Sequence, residues 1–214
     1  MVRVSNLEKL YHSSTAEAIN NIKKNGFKRV TPWPRNLNFL NSKTKANYLG
    51  NFGIGTYAFL NNPKLSVDFI KDELRYSHNR DYGTIEFELR KNVVENNRKR
   101  KTNILDLRPN KIDLDLFKLY LNKHRSSINY AMKNFKEVNG NSRIKLAGAI
   151  VEYFIFNYVK DENGKRIPCD AVYGASVTDD VFKLGIPDGI ECCIRNIKAI
   201  DNNSIKSYNI DEGS

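Results

Sequence analysis

The sequence predicts an α+β domain, and three observations lead there. Some segments alternate apolar and polar residues, while others repeat apolar residues every three to four positions, so strands and helices are both expected. The two kinds of segment follow one another without regular strand–helix alternation, which argues against a doubly wound parallel sheet. No low-complexity stretch or fixed-period repeat divides the chain, so residues 1–214 read as a single domain.

Composition narrows the class. Hydrophobic residues make up 40% and charged residues 28%, which suits a soluble chain with a real core. The formal net charge of +11 favours an acidic partner, whether nucleic acid, nucleotide or acidic protein. The cysteines, Cys169, Cys192 and Cys193, are odd in number, two are adjacent, and their spacing suits no metal. They read as reduced thiols in a cytoplasmic protein without a metal site. No apolar run reaches transmembrane length and no signal peptide opens the chain, so no membrane association is expected.

Leu7, Leu10 and Tyr11 form a short apolar run ending at His12, read as a strand. Ser14 precedes Glu17 by three residues, the capping-box spacing for a helix start. Ala18, Ile19 and Ile22 continue at helical spacing, and Asn25-Gly26 suits a left-handed stop. His12 is thereby carried to a strand end at the mouth of a cleft. Lys28 to Asn47 is polar and irregular, and Pro32-Trp33-Pro34 suggests an ordered loop over that cleft. Trp33 is read either as a loop anchor or as a wall of the binding site.

Gly50, Gly53 and Gly55 crowd one turn, and Thr56 to Phe59 then reads as a strand. The pattern fits neither a Rossmann fingerprint nor a P-loop. Asn62 caps the next helix with Pro63 in its first turn, and Leu65, Phe69 and Ile70 give it an apolar face. Thr84 to Leu89 alternates Ile85, Phe87 and Leu89 with Glu86 and Glu88, a half-exposed strand. Asn103 to Leu107 is a short buried strand that places Asp106 near the cleft. Ile112 to Lys123 and Asn141 to Val159 are amphipathic helices. The second has Ile144, Ala147, Ile150, Val151, Phe154, Ile155 and Tyr158 on its stripe and turns Glu152 to solvent. Asn163-Gly164 is a turn, and Ala171 to Val177, Ile190 to Asn196 and Ser204 to Ile210 are strands.

Basic residues interleave with aromatics in three places, a pattern that suits phosphate binding with base stacking. Arg98, Lys99, Arg100 and Lys101 form the densest run, readable as a solvated loop or as a phosphate patch. Lys123-His124-Arg125 lies near Tyr120 and Tyr130, and Lys43 and Lys45 lie near Trp33 and Tyr48.

Three features stand in order along the chain: Tyr11-His12-Ser13-Ser14, Gly53-Ile54-Gly55-Thr56-Tyr57-Ala58-Phe59, and Ile190-Glu191-Cys192-Cys193-Ile194. Together they resemble the His–Tyr–Glu branch of the ADP-ribosyltransferase superfamily, which includes diphtheria toxin and the poly(ADP-ribose) polymerases. Compact bacterial members, among them toxins of toxin–antitoxin phage-defence systems that modify RNA or DNA, have similar motif spacing. About twenty positions between Leu10 and Ile200 carry the likeness.

The resemblance implies two packed, mostly antiparallel sheets that form an NAD-binding cleft flanked by helices. It also implies NAD as co-substrate, no metal, an acceptor such as a nucleic-acid base, and an acidic antitoxin as partner. Glu191 would stabilise the charge that develops on the ribose, and Tyr57 would stack on nicotinamide. His12 would bond the adenosine ribose. Ser13, Ser14 and Gly55 would complete the nicotinamide and ribose contacts. The family commonly has glycine where this chain has Ser13. Glu86-Phe87-Glu88 is similar to the Glu-x-Glu of the arginine-modifying branch, but the arginine and Ser-Thr-Ser strand of that branch are not found before it. A protein acceptor, plain NAD hydrolysis and a non-catalytic basic binding module remain as alternatives.

Overall fold

A computed structural model of the chain describes residues 8–29, 49–78, 80–98, 104–130, 133, 143–159, 163–176 and 188–209. It opens with β1 (Lys9–Thr15) and α1 (Ala16–Asn25), followed by a hairpin of β2 (Leu49–Gly50) and β3 (Gly53–Ile54). Next come β4 (Thr56–Leu60), α2 (Pro63–Glu73), β5 (Tyr82–Leu89) and α3 (Lys91–Arg98). The rest is β6 (Ile104–Leu107), α4 (Ile112–Lys123), α5 (Arg143–Tyr158), β7 (Ala171–Ser176), β8 (Gly189–Ile194) and β9 (Ile200–Ser207).

The α+β class holds, with a different sheet arrangement. Seven strands form one sheet in the order β6-β7-β8-β4-β1-β5-β9, and the β2–β3 hairpin stands apart from it. Only β6 and β7 run parallel; the other neighbours are antiparallel. The expected pair of packed sheets is thus one sheet, weak at its middle. β1 pairs with β5 through seven residues but with β4 only at Leu10↔Leu60 and Tyr11↔Phe59.

Strand alternation divides the core between the two faces. Leu10, Ala58, Ile85, Cys192 and Ile194 point to one face, where Ile19 of α1, Phe27 and Val93 of α3 cover them. Leu105, Val172 and Cys193 point to the other face, where Tyr120 of α4 and Val151, Phe154 and Ile155 of α5 cover them. The second face also carries the hairpin, through Phe52.

The caps explain the ends of the helices. Asn62 Oδ1 accepts the Leu65 N–H at 3.0 Å, as the sequence suggests. At α1 the cap is Thr15 and not Ser14: Thr15 Oγ1 accepts the Ala18 N–H at 3.3 Å. β1 keeps its rungs to β5 through Thr15↔Tyr82, so the helix cannot start earlier. Gly26 ends α1 at φ +74°. Phe69 and Ile144 are 42% and 53% exposed, so neither belongs to the buried stripe assigned to its helix. Residues 91–98 form a helix, α3, whose Val93 is buried against the core; Arg98, from the basic run read as loop or phosphate patch, is its last residue.

α5 meets the hairpin so closely that a Cβ at Gly148 would overlap the Gly50 carbonyl oxygen. Glycine-to-alanine in an ordinary helix stabilises by up to ~1 kcal/mol. Gly148→Ala is expected to have the opposite sign and to cost about 1–3 kcal/mol, since backbone cannot rotate away. Urea denaturation measures this; a stabilised variant would show that α5 does not press on the hairpin.

Candidate functional site

The site begins where β1 and β4 part. Rungs alternate, so the N–H and C=O of every second residue point to the same neighbour. On β1 those of Lys9 reach toward β4, since the Asn61 N–H donates to the Lys9 carbonyl at 2.8 Å. By the same parity Ser13 N–H and C=O point toward β4, one rung past the last pair, Tyr11↔Phe59. The group that would meet Ser13 there is the Tyr57 carbonyl. It is taken by His12, whose Nδ1–H donates to it at 2.7 Å. A carbonyl only accepts, so this bond fixes the tautomer and leaves Nε2 as an acceptor. Burial lowers the His12 pKa and outweighs the opposing effect of that bond, so the ring is neutral at pH 7.

Ser13 in place of glycine fits this geometry. Its side chain is buried and points away from the fork's backbone edge, toward α2 and β5. Its hydroxyl lies 2.8 Å from Ser66 Oγ and 2.8 Å from Thr84 Oγ1. The added hydroxyl therefore ties β1 to its neighbours and leaves the backbone groups of Ser13 at the fork.

Tyr57 and Glu191 lie on the same face of adjacent strands, since Tyr57 pairs with Cys193 and Phe59 with Glu191. His12 follows Leu10 on the opposite face, with its ring edge-on to Phe27, and joins the others through the Tyr57 carbonyl. Tyr57 also braces the hairpin. Its hydroxyl donates to the Gly53 carbonyl at 2.8 Å and accepts the Phe52 N–H at 3.0 Å. Burial pushes that hydroxyl far above its ordinary pKa. Gly53 adopts φ +105°, which glycine tolerates. Gly55 packs so close to the Ile194 carbonyl that a side chain there would collide with it.

The hairpin is held from below by an ion pair that the sequence did not suggest. Glu152, expected to face solvent, is instead nearly buried against Arg195. Its Oε1 accepts from Arg195 Nη1 and from the Ile54 N–H, the latter at 2.8 Å. Arg195 Nε donates in turn to the Cys169 carbonyl at 3.2 Å. This pair ties α5, the hairpin and the end of β8 together beneath Tyr57.

Glu191 is 6% exposed. Burial raises its pKa, hydrogen bonds from Ser176 and Asn51 pull it back down, and Asp188 pushes it up again; the net shift is upward. The Ser176 hydroxyl donates to Glu191 Oε1 at 2.5 Å. Ser176 and Asn51 do not stand out in the sequence. Strand pairing brings Ser176 there, through the register Gly174↔Glu191 on β7 and β8. The glycine turn brings Asn51.

Other candidates fall elsewhere. Ser14 is half-buried on β1 opposite Gly83. Asp106 is not at the fork; it lies on the edge strand β6, where Arg108 holds it through Nε at 2.8 Å and Nη2 at 2.7 Å. Glu86 is engaged by Lys9 Nζ at 2.8 Å and the Tyr11 hydroxyl at 3.0 Å, a strand-face role. Burial would raise its pKa, and these two bonds together with the charges of Lys9 and Lys206 more than reverse that. Tyr120 is 3% exposed among Phe117, Tyr153 and Phe154, which removes it as a stacking platform beside Lys123 and Arg125. Arg98 ends α3, while Trp33, Lys99, Arg100 and Lys101 lie outside the described residues, as do Lys43, Lys45 and Tyr48. No cluster of three metal-ligating side chains is found among the described residues, and no described helix is long and apolar enough to cross a membrane. Compared with protein-family models, curated proteins and solved structures, the chain matches none.

The raised pKa of Glu191 makes a stability prediction. Unfolded, the acid ionises near its ordinary value of 4.5; folded, it keeps its proton to higher pH. The folded state then binds more protons than the unfolded one, so stability is lost as pH rises through that interval. Glu191→Gln removes this titration. The variant is expected to melt above the wild type at pH 7 and to lose that advantage near pH 4. Thermal melts across this range check it; parallel pH profiles for the two proteins would refute it.

Proposed function

We propose that the protein is an NAD-dependent mono-ADP-ribosyltransferase that modifies a nucleic-acid base. The observation that carries the reading is the fork. The Ser13 backbone donor and acceptor face it, and Tyr57 and Glu191 share a face on the next two strands. A carboxamide has one carbonyl and one amide group, which such a backbone pair can clasp together. His12, held neutral by burial and in one tautomer by its bond to Tyr57, offers Nε2 to a ribose hydroxyl.

NAD supplies an ADP-ribosyl group whose separation from nicotinamide builds positive charge on the ribose. A carboxylate fixed in a poorly solvated pocket stabilises such charge better than water does, because it need not reorganise. Glu191 is held for that role by Ser176 and Asn51. A bound cationic substrate favours its ionised form and offsets the effect of burial. Tyr57 contributes by fixing the hairpin whose Asn51 reaches the acid. The +11 charge favours a polyanionic acceptor. The toxin role and an acidic neutralising partner belong to the same proposal and follow from the resemblance alone.

Incubating the protein with labelled NAD and a broken-cell extract tests the reading. Label is expected on a species sensitive to nuclease and resistant to protease. Glu191→Gln is expected to lower labelling by about 100-fold or more, the usual loss when one charge-stabilising group is removed. Protease-sensitive label would move the acceptor to protein. Release of free ADP-ribose alone would make the reaction a hydrolysis. No label and no nicotinamide release would overturn the catalytic reading.

Ser176→Ala separates positioning from folding. It is expected to lower turnover by about 10-fold and to shift the acidic limb of the pH–rate profile upward, because the missing bond favours ionised Glu191. An unchanged profile would show that Ser176 does not act through the acid.

A further inference from the structure

A second cleft opens at the far side of β1 from Glu191, among α1, α2, the start of β5 and the end of β9. It encloses about 680 Å³, a volume suited to a small ligand. Its charged lining residues are Lys23 of α1 and Lys71 of α2, and none of the described residues that line it is a carboxylate. The remaining polar lining comes from Asn20, Thr84, Ser207, Tyr208 and Asn209. Tyr82 forms an aromatic wall, and Lys71 Nζ stands 5.7 Å from its ring centroid. Lys23 Nζ donates to Ser207 Oγ at 2.7 Å, which fixes that ammonium at the rim. Glu17, Asp72 and Asp81 each adjoin a lining residue in sequence, and none of the three lines the cleft. The backbone carbonyl of Asp81 accepts the Ala16 N–H at 3.1 Å.

We propose that this cleft binds a nucleotide unit, with its phosphate between Lys23 and Lys71 and its base against Tyr82. The chemistry is specific in three respects. Two ammonium groups from separate helices line a cavity to which no described residue brings a carboxylate, which suits an anionic ligand. The aromatic wall beside them takes a flat ring, which inorganic phosphate lacks. The amide and hydroxyl groups on the β9 side offer donors and acceptors to the edge of a base. The site does not depend on the transferase reading, because occupancy of the cleft requires neither NAD nor Glu191.

The test is fluorescence anisotropy with a labelled single-stranded 12-mer, without NAD, at several salt concentrations. Adenosine monophosphate and inorganic phosphate are titrated as competitors. Lys23→Gln/Lys71→Gln is expected to weaken the 12-mer at least 10-fold and to reduce the salt slope by about 0.7 for each phosphate that is no longer neutralised. Tyr82→Leu is expected to weaken it several-fold with the salt slope unchanged. Lys118→Gln/Lys165→Gln removes the same charge from exposed positions outside the cleft and is expected to change affinity less than 2-fold. Competition by adenosine monophosphate as strong as by unlabelled 12-mer would make the natural ligand a free nucleotide. Competition by the 12-mer alone would make it a nucleic-acid strand. Equal weakening in the two double variants, or competition by inorganic phosphate as strong as by the nucleotide, would overturn the proposal.

Discussion

One hydrogen bond organises the middle of the sheet: His12 Nδ1–H to the Tyr57 carbonyl, at 2.7 Å. A side chain here occupies the acceptor that the next backbone rung would use. β1 and β4 cannot zip further, and their pairing ends after two residues. The cost of forgoing a rung is met in two ways. The Tyr57 carbonyl keeps a partner, and β1 stays anchored to β5 along its whole length. The parting of the strands is therefore a stable feature that leaves backbone donors and acceptors facing a gap. Protonating His12 would put a cation among Phe27 and its neighbours, which burial opposes. Burial keeps the ring neutral against the pull of the bond that makes the fork.

The second constraint is the hairpin. Two-residue strands are too short to hold their own geometry, since an isolated hairpin is marginal in water. Here the clamps are the Tyr57 hydroxyl from the sheet and the Glu152–Arg195 pair from below. A buried ion pair gives little net stability against an apolar substitute, but breaking it leaves an uncompensated charge. The same pair binds the Ile54 N–H, so it specifies where the hairpin sits. Asn51, between the two short strands, reaches Glu191 from that position. Tyr57, Glu152 and Glu191 are thus mechanically one unit, although 95 residues separate Tyr57 from Glu152 and 39 separate Glu152 from Glu191 by their positions in the chain.

What the sequence makes legible follows from the range of the physics involved. α2 is readable because Asn62, Pro63 and the apolar spacing act within one or two turns. β5 is readable because alternation is local. Ser14 looks like the cap because Ser14 and Thr15 are both competent, and the choice is made by the pairing of Thr15 with Tyr82, 67 positions away. Glu152 looks like the polar side of a helix, since nothing near it reveals that Arg195 and the Ile54 N–H converge there. Tyr120 looks available for stacking beside basic neighbours, but α5 covers it. The three candidate residues His12, Tyr57 and Glu191 are legible as a pattern. Their different roles in the structure are not, because those roles are set by face and register.

The fork and the lysine-lined cleft share the end of β1. Ser13 faces the first, and Thr15, two residues on, pairs with Tyr82 in the second. Two residues of strand and one strand spacing separate Ser13 from Tyr82, roughly 8 Å between Cα atoms. A rigid sheet fixes that separation, whereas loops at the same places would not. A nucleotide held on Tyr82 is therefore kept at a set distance from the backbone groups of Ser13. The two sites carry opposite electrostatic demands. In the proposed roles, the cleft would use cations to hold phosphate and the Glu191 pocket an anion to meet developing positive charge. Placed side by side, lysines and carboxylate would neutralise one another. β1 and β4 lie between them, and burial screens Glu191 from the positive surface.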